Sequence, residues 1–126
     1  MEALHKHHIS FKNACAGIIW AFSTQPNFKV HIFLSLLALM LGFVLKATYT
    51  EMTVLVLTIV FGLGVEMVNT SIEAMTDLIT EEWRKEAKIA KDVSAGMMLL
   101  VACGAVIVAS LIFLPRIGQI LTSILI

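Results

Sequence analysis

The sequence has 126 residues, of which 59% are hydrophobic and 14% are charged, and its mean hydropathy is +0.92. An ordinary water-soluble domain has roughly 25% charged residues, so this composition excludes that class and indicates a membrane protein. Nine basic residues balance nine acidic ones, so bulk electrostatics give no reason to expect a nucleic acid partner. The length allows one compact membrane domain, residues 1–126, with no soluble catalytic domain beside it.

A segment with one apolar face precedes the first long apolar run. Its apolar residues recur every three or four positions: Phe11, Cys15, Ile18 and Phe22. This spacing predicts an amphipathic helix on the membrane surface, over about residues 9–25. Pro26 should end that helix, because a residue that precedes proline is biased toward an extended conformation.

Three uncharged runs follow, of sixteen, fourteen and twenty-three residues. A span requires about 20 mostly apolar residues. The first run is therefore long enough only if Lys29 and Lys46 extend along it toward the interfaces, and the second must continue through Glu66 to about Ile79. The third is long enough alone. The runs predict an all-α membrane protein with spans at about residues 28–48, 52–79 and 93–114.

The basic residues near the ends of the spans are unevenly distributed. Seven lie on the side of the amino terminus and of a predicted loop at residues 80–92, and two, Lys46 and Arg116, lie on the other side. Since cytoplasmic segments carry the excess of Lys and Arg, the amino terminus is predicted to lie on the cytoplasmic side. The protein is predicted to reside in the inner (cytoplasmic) membrane. Residues 117–126 are too few to cross again, so we expect them to lie along the outer interface or to pack on the helices.

Acidic residues occur where the second span reaches the cytoplasmic side. At 100° per residue, Asn69, Glu73 and Asp77 lie within about 60° of Glu66, so three carboxylates and an amide share one stripe of the helix. Charged side chains inside a membrane are costly and usually have a function. Clustered carboxylates beside an amide suit a hard cation, and magnesium in particular is usually held by one or two carboxylates together with substrate phosphates.

Lys91 and Asp92 begin the third span at the same interface. A lysine there could hold a phosphate, and a lysine that merely extends to water with a neighbouring acid fits equally well. The sequence contains no GxxxxGK[ST] phosphate loop. Any nucleotide must therefore be held by a metal, by side chains and by helix ends.

Two motifs carry a resemblance to a known family. They read Glu66-x-x-Asn69-Thr70-x-Ile72-Glu73-x-x-x-Asp77 and Ala90-Lys91-Asp92-x-x-Ala95-Gly96. The sequence, from residue 10 to about residue 115, resembles the prokaryotic integral-membrane diacylglycerol kinase and undecaprenol kinase family. The resemblance implies a homotrimer of three-span subunits that transfers the γ-phosphate of Mg-ATP to the hydroxyl of a membrane lipid.

The resemblance also implies a role for each matching residue. Glu66 would accept the proton of the lipid hydroxyl and, with Ala95, contact the lipid, and Glu73 would bind the metal. The nucleotide site would draw on residues from several segments: Asn13, Asn69, Glu73, Asp77, Glu82, Trp83, Arg84, Lys91 and Asp92. Where the family often has a second metal-binding glutamate, this sequence has Gln25, whose amide oxygen can bind magnesium but brings no charge.

A different class of function is a small transporter or channel subunit that uses the carboxylates as a proton or cation path. Against it, the first and third spans carry no ionisable residue through their middles, and the acids of the second cluster at one end. His31 is expected to lie at the interface and to orient the first span. The stretch Asn27-Phe28-Lys29-Val30-His31 and Pro115 resemble the undecaprenol kinases more than the diacylglycerol kinases, so a polyprenol is the favoured substrate.

Overall fold

The computed structural model describes residues 2–125, with side chains from residue 9 onward. These residues form four helices: α1 (Glu2–Thr24), α2 (Pro26–Val44), α3 (Tyr49–Ile79) and α4 (Lys85–Leu125). The last three are each long and apolar enough to cross a membrane. The predicted all-α fold with three helices able to span is confirmed.

The boundaries of α2 and α3 follow from local sequence. Pro26 occupies the first turn of α2, where its missing N–H is not needed, and Gln25 before it is extended. A capping box starts α3: the Thr48 hydroxyl accepts from the Glu51 N–H at 3.3 Å, and the Glu51 carboxylate accepts from the Thr48 N–H at 2.6 Å. Lys46, in the turn between the two helices, has a left-handed φ of 54°.

Helix α4 is longer at both ends than the span expected at residues 93–114. Residues 85–92, expected in a loop, form its first two turns, and Pro115 does not end it. Residues 117–125 thus continue the same helix. Proline removes one backbone hydrogen bond, but apolar residues continue beyond it, and in an apolar environment helical geometry satisfies the remaining backbone groups.

Helix α3 packs against both α2 and α4. The bundle has two ends. The turn end contains the α2–α3 turn at residues 45–48, and the carboxylate end contains Glu66 to Asp77 of α3. A small core of Leu55, Ile112 and Phe113 lies at the turn end. There α2 and α3 approach closely, because a Cβ added at Gly42 would meet Met52 Sδ at 2.7 Å.

Helix α1 packs against α2 and α3 at the carboxylate end. Ala21 is buried, whereas Phe11, Ile18 and Phe22 are exposed. The outer surfaces of α2, α3 and α4 also expose many large apolar side chains. Such a surface suits contact with lipid or with other transmembrane helices.

Candidate active site

Glu66 is the largest fully buried side chain among those described, with 2% of its surface exposed. Its neighbours on α3, Asn69 and Thr70, are also buried polar residues. Glu66 Oε2 is buried without a hydrogen-bond partner in the described part of the chain. Since a buried carboxylate oxygen without a partner is costly, this atom is poised for a group that binds beside it.

His31, on α2, faces this carboxylate. Its Nε2 lies 3.9 Å from Glu66 Oε2, and 27% of its side chain is exposed. The distance is too long for a direct hydrogen bond. The sequence placed His31 at the interface as an orienting residue and missed this contact, because finding it requires the register of α2 against α3.

Asn69 and Glu73, which follow Glu66 along α3, are connected by a side-chain hydrogen bond. Asn69 Nδ2 donates to Glu73 Oε1 at 3.4 Å, and Asn69 Oδ1 is buried without a hydrogen-bond partner among the described residues. Within residues 9–125, no three His, Cys, Asp or Glu side chains are close enough to hold a metal by themselves. Magnesium usually needs only one or two protein carboxylates beside phosphate oxygens and water, so a Glu73 carboxylate next to an unpaired amide oxygen fits it.

Gln25 lies at the level of Glu73. The His31–Glu66 contact fixes the antiparallel register of α2 and α3, and Gln25 precedes His31 by six residues. At 1.5 Å per residue these six residues correspond to about 9 Å along the bundle, as far as Ile72 and Glu73 lie from Glu66. Gln25 is half-buried, and no hydrogen bond links it to Glu73 among the side chains described.

Lys91 is brought to the stripe by an ion pair with Asp77, which connects α4 to α3. Asp92 pairs instead with Lys88, one turn earlier on α4. The buried Ser94 hydroxyl donates to the Lys91 carbonyl at 2.9 Å. The structure thus places the Lys91 ammonium beside the acidic stripe, at its water-exposed end.

The other predicted site residues lie at the surface. Arg84 pairs with Glu82 at 3.1 Å, and Trp83 between them is 77% exposed. Asn13 on α1 and Ala95 on α4 are exposed as well. Within the described chain, no hydrogen bond or ion pair connects these five residues to Glu66, Asn69 or Glu73.

A cleft of about 380 Å³ lies between α2, α3 and α4. It extends from His31, beside Glu66, to Phe113 in the core of the turn end. Its lining is apolar except for His31, Ser35 and Thr58. Both hydroxyls donate to carbonyls of their own helices, at 2.7 and 2.8 Å. The cleft therefore suits an apolar chain whose polar end lies beside Glu66.

The fold and the site define a class: a helical membrane protein in which a buried carboxylate lies between an apolar cleft and a charged, water-facing surface. The sequence profile of the prokaryotic diacylglycerol kinase family matches residues 12–113. The chain belongs to this family, and the assignment predicted from its motifs is confirmed.

Two relatives are similar to this protein over most of its chain. A diacylglycerol kinase of Synechocystis sp. is 38% identical over 108 residues, which cover 85% of this chain and 62% of that protein. An undecaprenol kinase of Bacillus subtilis is 34% identical over 113 residues, which cover 90% of this chain and 92% of that protein. The chain thus spans less than two thirds of the first relative and nearly all of the second. Both relatives carry the name of the enzyme class predicted from the sequence.

Proposed function

We propose that this protein is a lipid kinase, which transfers the γ-phosphate of ATP to the hydroxyl of a membrane lipid alcohol. The observation that carries the proposal is the position of Glu66 Oε2, a buried carboxylate oxygen without a hydrogen-bond partner among the described residues, near the end of the apolar cleft. The family and the names of both relatives support the same activity.

In this proposal, Glu66 is the general base. Its unpaired Oε2 accepts the proton of the lipid hydroxyl as the oxygen attacks the γ-phosphorus. The buried position excludes bulk water from this oxygen, so an alcohol delivered by the cleft reacts in preference to water. The apolar tail of the lipid occupies the cleft.

The water-soluble substrate binds further along the stripe. Phosphoryl transfer depends mainly on positioning and on neutralising phosphate charge. Asn69, Glu73 and Asp77 lie about 4.5, 10.5 and 16.5 Å from Glu66 along the axis of α3. In this proposal, the triphosphate of ATP lies along α3 with its γ-phosphoryl group nearest Glu66. The Lys91 ammonium binds phosphate oxygens at the far end.

Magnesium belongs to the proposal as the metal of this site. Glu73 and the Asn69 amide oxygen would hold it, with Gln25 at the same level as a weaker, uncharged ligand. When bound, it neutralises charge on the transferred phosphoryl group. The nucleotide would complete its ligand set, which agrees with the small number of protein donors brought together here.

We also propose a homotrimer with a cytoplasmic amino terminus in the inner membrane and with α1 on the membrane surface. The exposed Phe11, Ile18 and Phe22 support an interfacial α1. The excess of basic residues at the carboxylate end supports the orientation. The exposed apolar faces of the three long helices offer surface for neighbouring subunits.

The lipid is proposed to be a polyprenol. The cleft is apolar, with no free hydroxyl among its described lining residues, and so it recognises a chain rather than a polar headgroup. Apolar sites discriminate weakly, by about 1–3 kcal/mol per methylene-scale difference. Both undecaprenol and diacylglycerol should therefore be phosphorylated, with the higher kcat/KM for undecaprenol.

The test is phosphorylation of both lipids at matched mole fraction, in mixed micelles with γ-labelled ATP and magnesium. Label in the lipid fraction supports the kinase, and tenfold selectivity for diacylglycerol would reverse the substrate assignment. Ion flux in proteoliposomes without any labelled lipid would instead support the transporter and overturn the kinase.

A further inference from the structure

We propose that His31 is a second catalytic residue, whose Nε2–H donates a hydrogen bond to the oxygen of the lipid hydroxyl while Glu66 accepts its proton. The inference rests on the proposed lipid kinase function and assigns His31 a direct contact with the reacting oxygen. It is carried by the geometry of the gap between α2 and α3.

The distance between the two side chains allows one oxygen beside them to contact both. His31 Nε2 and Glu66 Oε2 are 3.9 Å apart, too far for a direct hydrogen bond. An O–H···O bond is about 2.7–2.8 Å long and an N–H···O bond about 2.9–3.0 Å. These two lengths together exceed the 3.9 Å between His31 Nε2 and Glu66 Oε2. One hydroxyl oxygen can therefore lie at ordinary hydrogen-bond distance from both atoms.

The chemistry of the two groups matches a hydroxyl. An ionised carboxylate only accepts, and an imidazole with its proton on Nε2 donates. A hydroxyl between them donates its proton to Glu66 Oε2, the oxygen without a hydrogen-bond partner in the described structure, and accepts from His31. Of the polar side chains that line the cleft, Ser35 and Thr58 already donate to backbone carbonyls, which leaves His31 for the substrate.

The reaction step balances with these groups. The lipid oxygen forms its bond to the γ-phosphorus as the bond to the bridging oxygen of ATP breaks, and ADP leaves with that electron pair. The hydroxyl proton moves to Glu66 Oε2. The bond from His31 occupies one lone pair of the hydroxyl oxygen and leaves the other directed at the γ-phosphorus, so His31 orients the attacking oxygen.

Two substitutions separate the donor from the bulk of the side chain. His31→Leu introduces an apolar side chain of similar size and removes the N–H donor. His31→Gln instead places an amide N–H near the position of Nε2. Loss of orientation of a reacting group can cost about 10²-fold in rate. We expect about a hundredfold loss of lipid phosphorylation in His31→Leu, recovery to within about tenfold of wild type in His31→Gln, and an unchanged KM for ATP in both.

Equal losses in both variants would show that the N–H donor is not what His31 contributes, and an active His31→Leu would show that the side chain only fills space. Either result overturns the inference. If the wild-type protein phosphorylated no lipid, the proposed function itself would be wrong. Lipid phosphorylation that is insensitive to His31 would reject only the present inference.

A binding measurement tests the hydrogen bond itself, because a purely structural role of His31 would not change the preference for an alcohol over its deoxy analogue. A polyprenol and its deoxy analogue, which lacks the hydroxyl, are compared as ligands in the presence of a non-hydrolysable ATP analogue. The wild type should prefer the alcohol, and the preference should shrink in His31→Leu. Equal affinity of the wild type for both ligands would overturn the inference, even if the Leu variant failed to fold.

Discussion

The two ends of the helical bundle use polar residues in opposite ways. At the turn end, Arg116 donates to the Leu45 and Lys46 carbonyls at 3.0 and 2.8 Å and pairs with Glu51. Glu51 also closes the capping box of Thr48. Although Arg116 Nε has no partner among the described residues, its other nitrogens join α4 to the turn between α2 and α3.

At the carboxylate end, buried groups are left without partners. Glu66 Oε2 and Asn69 Oδ1 make no hydrogen bond in the described structure, and the ion pairs of Lys91 and Asp92 are largely exposed. Exposed pairs contribute about 0–1 kcal/mol each. The comparison teaches that the turn end supplies stability, whereas the carboxylate end keeps unsatisfied polar atoms for ligands.

The largest expected effect follows from Glu66→Gln. The amide keeps the shape of the side chain but cannot accept the proton, so lipid phosphorylation should fall by about 10²- to 10⁴-fold. Nucleotide binding and thermal stability should stay at wild-type levels or rise, because a buried charge is removed. Turnover with labelled ATP and thermal unfolding in detergent measure the two quantities.

Glu86→Gln is the matched control, because Glu86 is an exposed carboxylate in the first turn of α4 to which no site role is assigned. It should leave turnover unchanged. A Glu66→Gln protein that retained more than about a tenth of wild-type turnover would contradict the general-base role.

The next effect concerns the turn end. Arg116→Met removes the ion pair with Glu51 and two hydrogen bonds to backbone carbonyls that then lose their donor. Breaking such a charged network should lower the free energy of unfolding by more than the loss of an exposed ion pair does, because two carbonyls are also left without their donor. Turnover per folded molecule, measured well below the melting temperature, should be preserved.

Arg84→Met serves as the stability control, since Arg84 forms an exposed pair with Glu82 and should cost less than about 1 kcal/mol. If the two arginine variants melted alike, the turn end would not be the stabilising end, and the contrast between the two ends would be wrong.

The smallest effect is expected from Gln25→Glu. A carboxylate at the level of Glu73 should lower the magnesium concentration needed for half-maximal activity by a few-fold, because a charged oxygen binds magnesium better than an amide. Asn27→Asp places the same charge on an exposed position nearby and controls for general electrostatics. A similar magnesium response in both variants would remove Gln25 from the metal site.

Much of the fold could be predicted because it depends on local sequence. Uncharged runs of fourteen to twenty-three residues located the long helices, and Pro26 located the start of α2. The 3.6-residue period placed Glu66, Asn69 and Glu73 on one stripe of a helix, and the structure joins Asn69 to Glu73.

The rest depends on which residues face each other across helices. Arg116 reaches Leu45 and Lys46, which are about seventy positions away in the chain, and His31 reaches Glu66 only in one register of α2 against α3. Neither contact leaves a periodic signal.

The length of α4 has a consequence for the membrane itself. Its residues 93–125, which follow the charged first turns and carry one charge, Arg116, correspond to about 50 Å at 1.5 Å per residue, well beyond the roughly 30 Å of a bilayer's hydrocarbon core. Beyond Arg116 the helix still exposes Ile117, Leu121 and Leu125. A hydrophobic stretch longer than the bilayer core is accommodated by tilt, by a kink or by local thickening of the bilayer, so α4 is the helix of this bundle that we expect to deform the membrane or to incline within it.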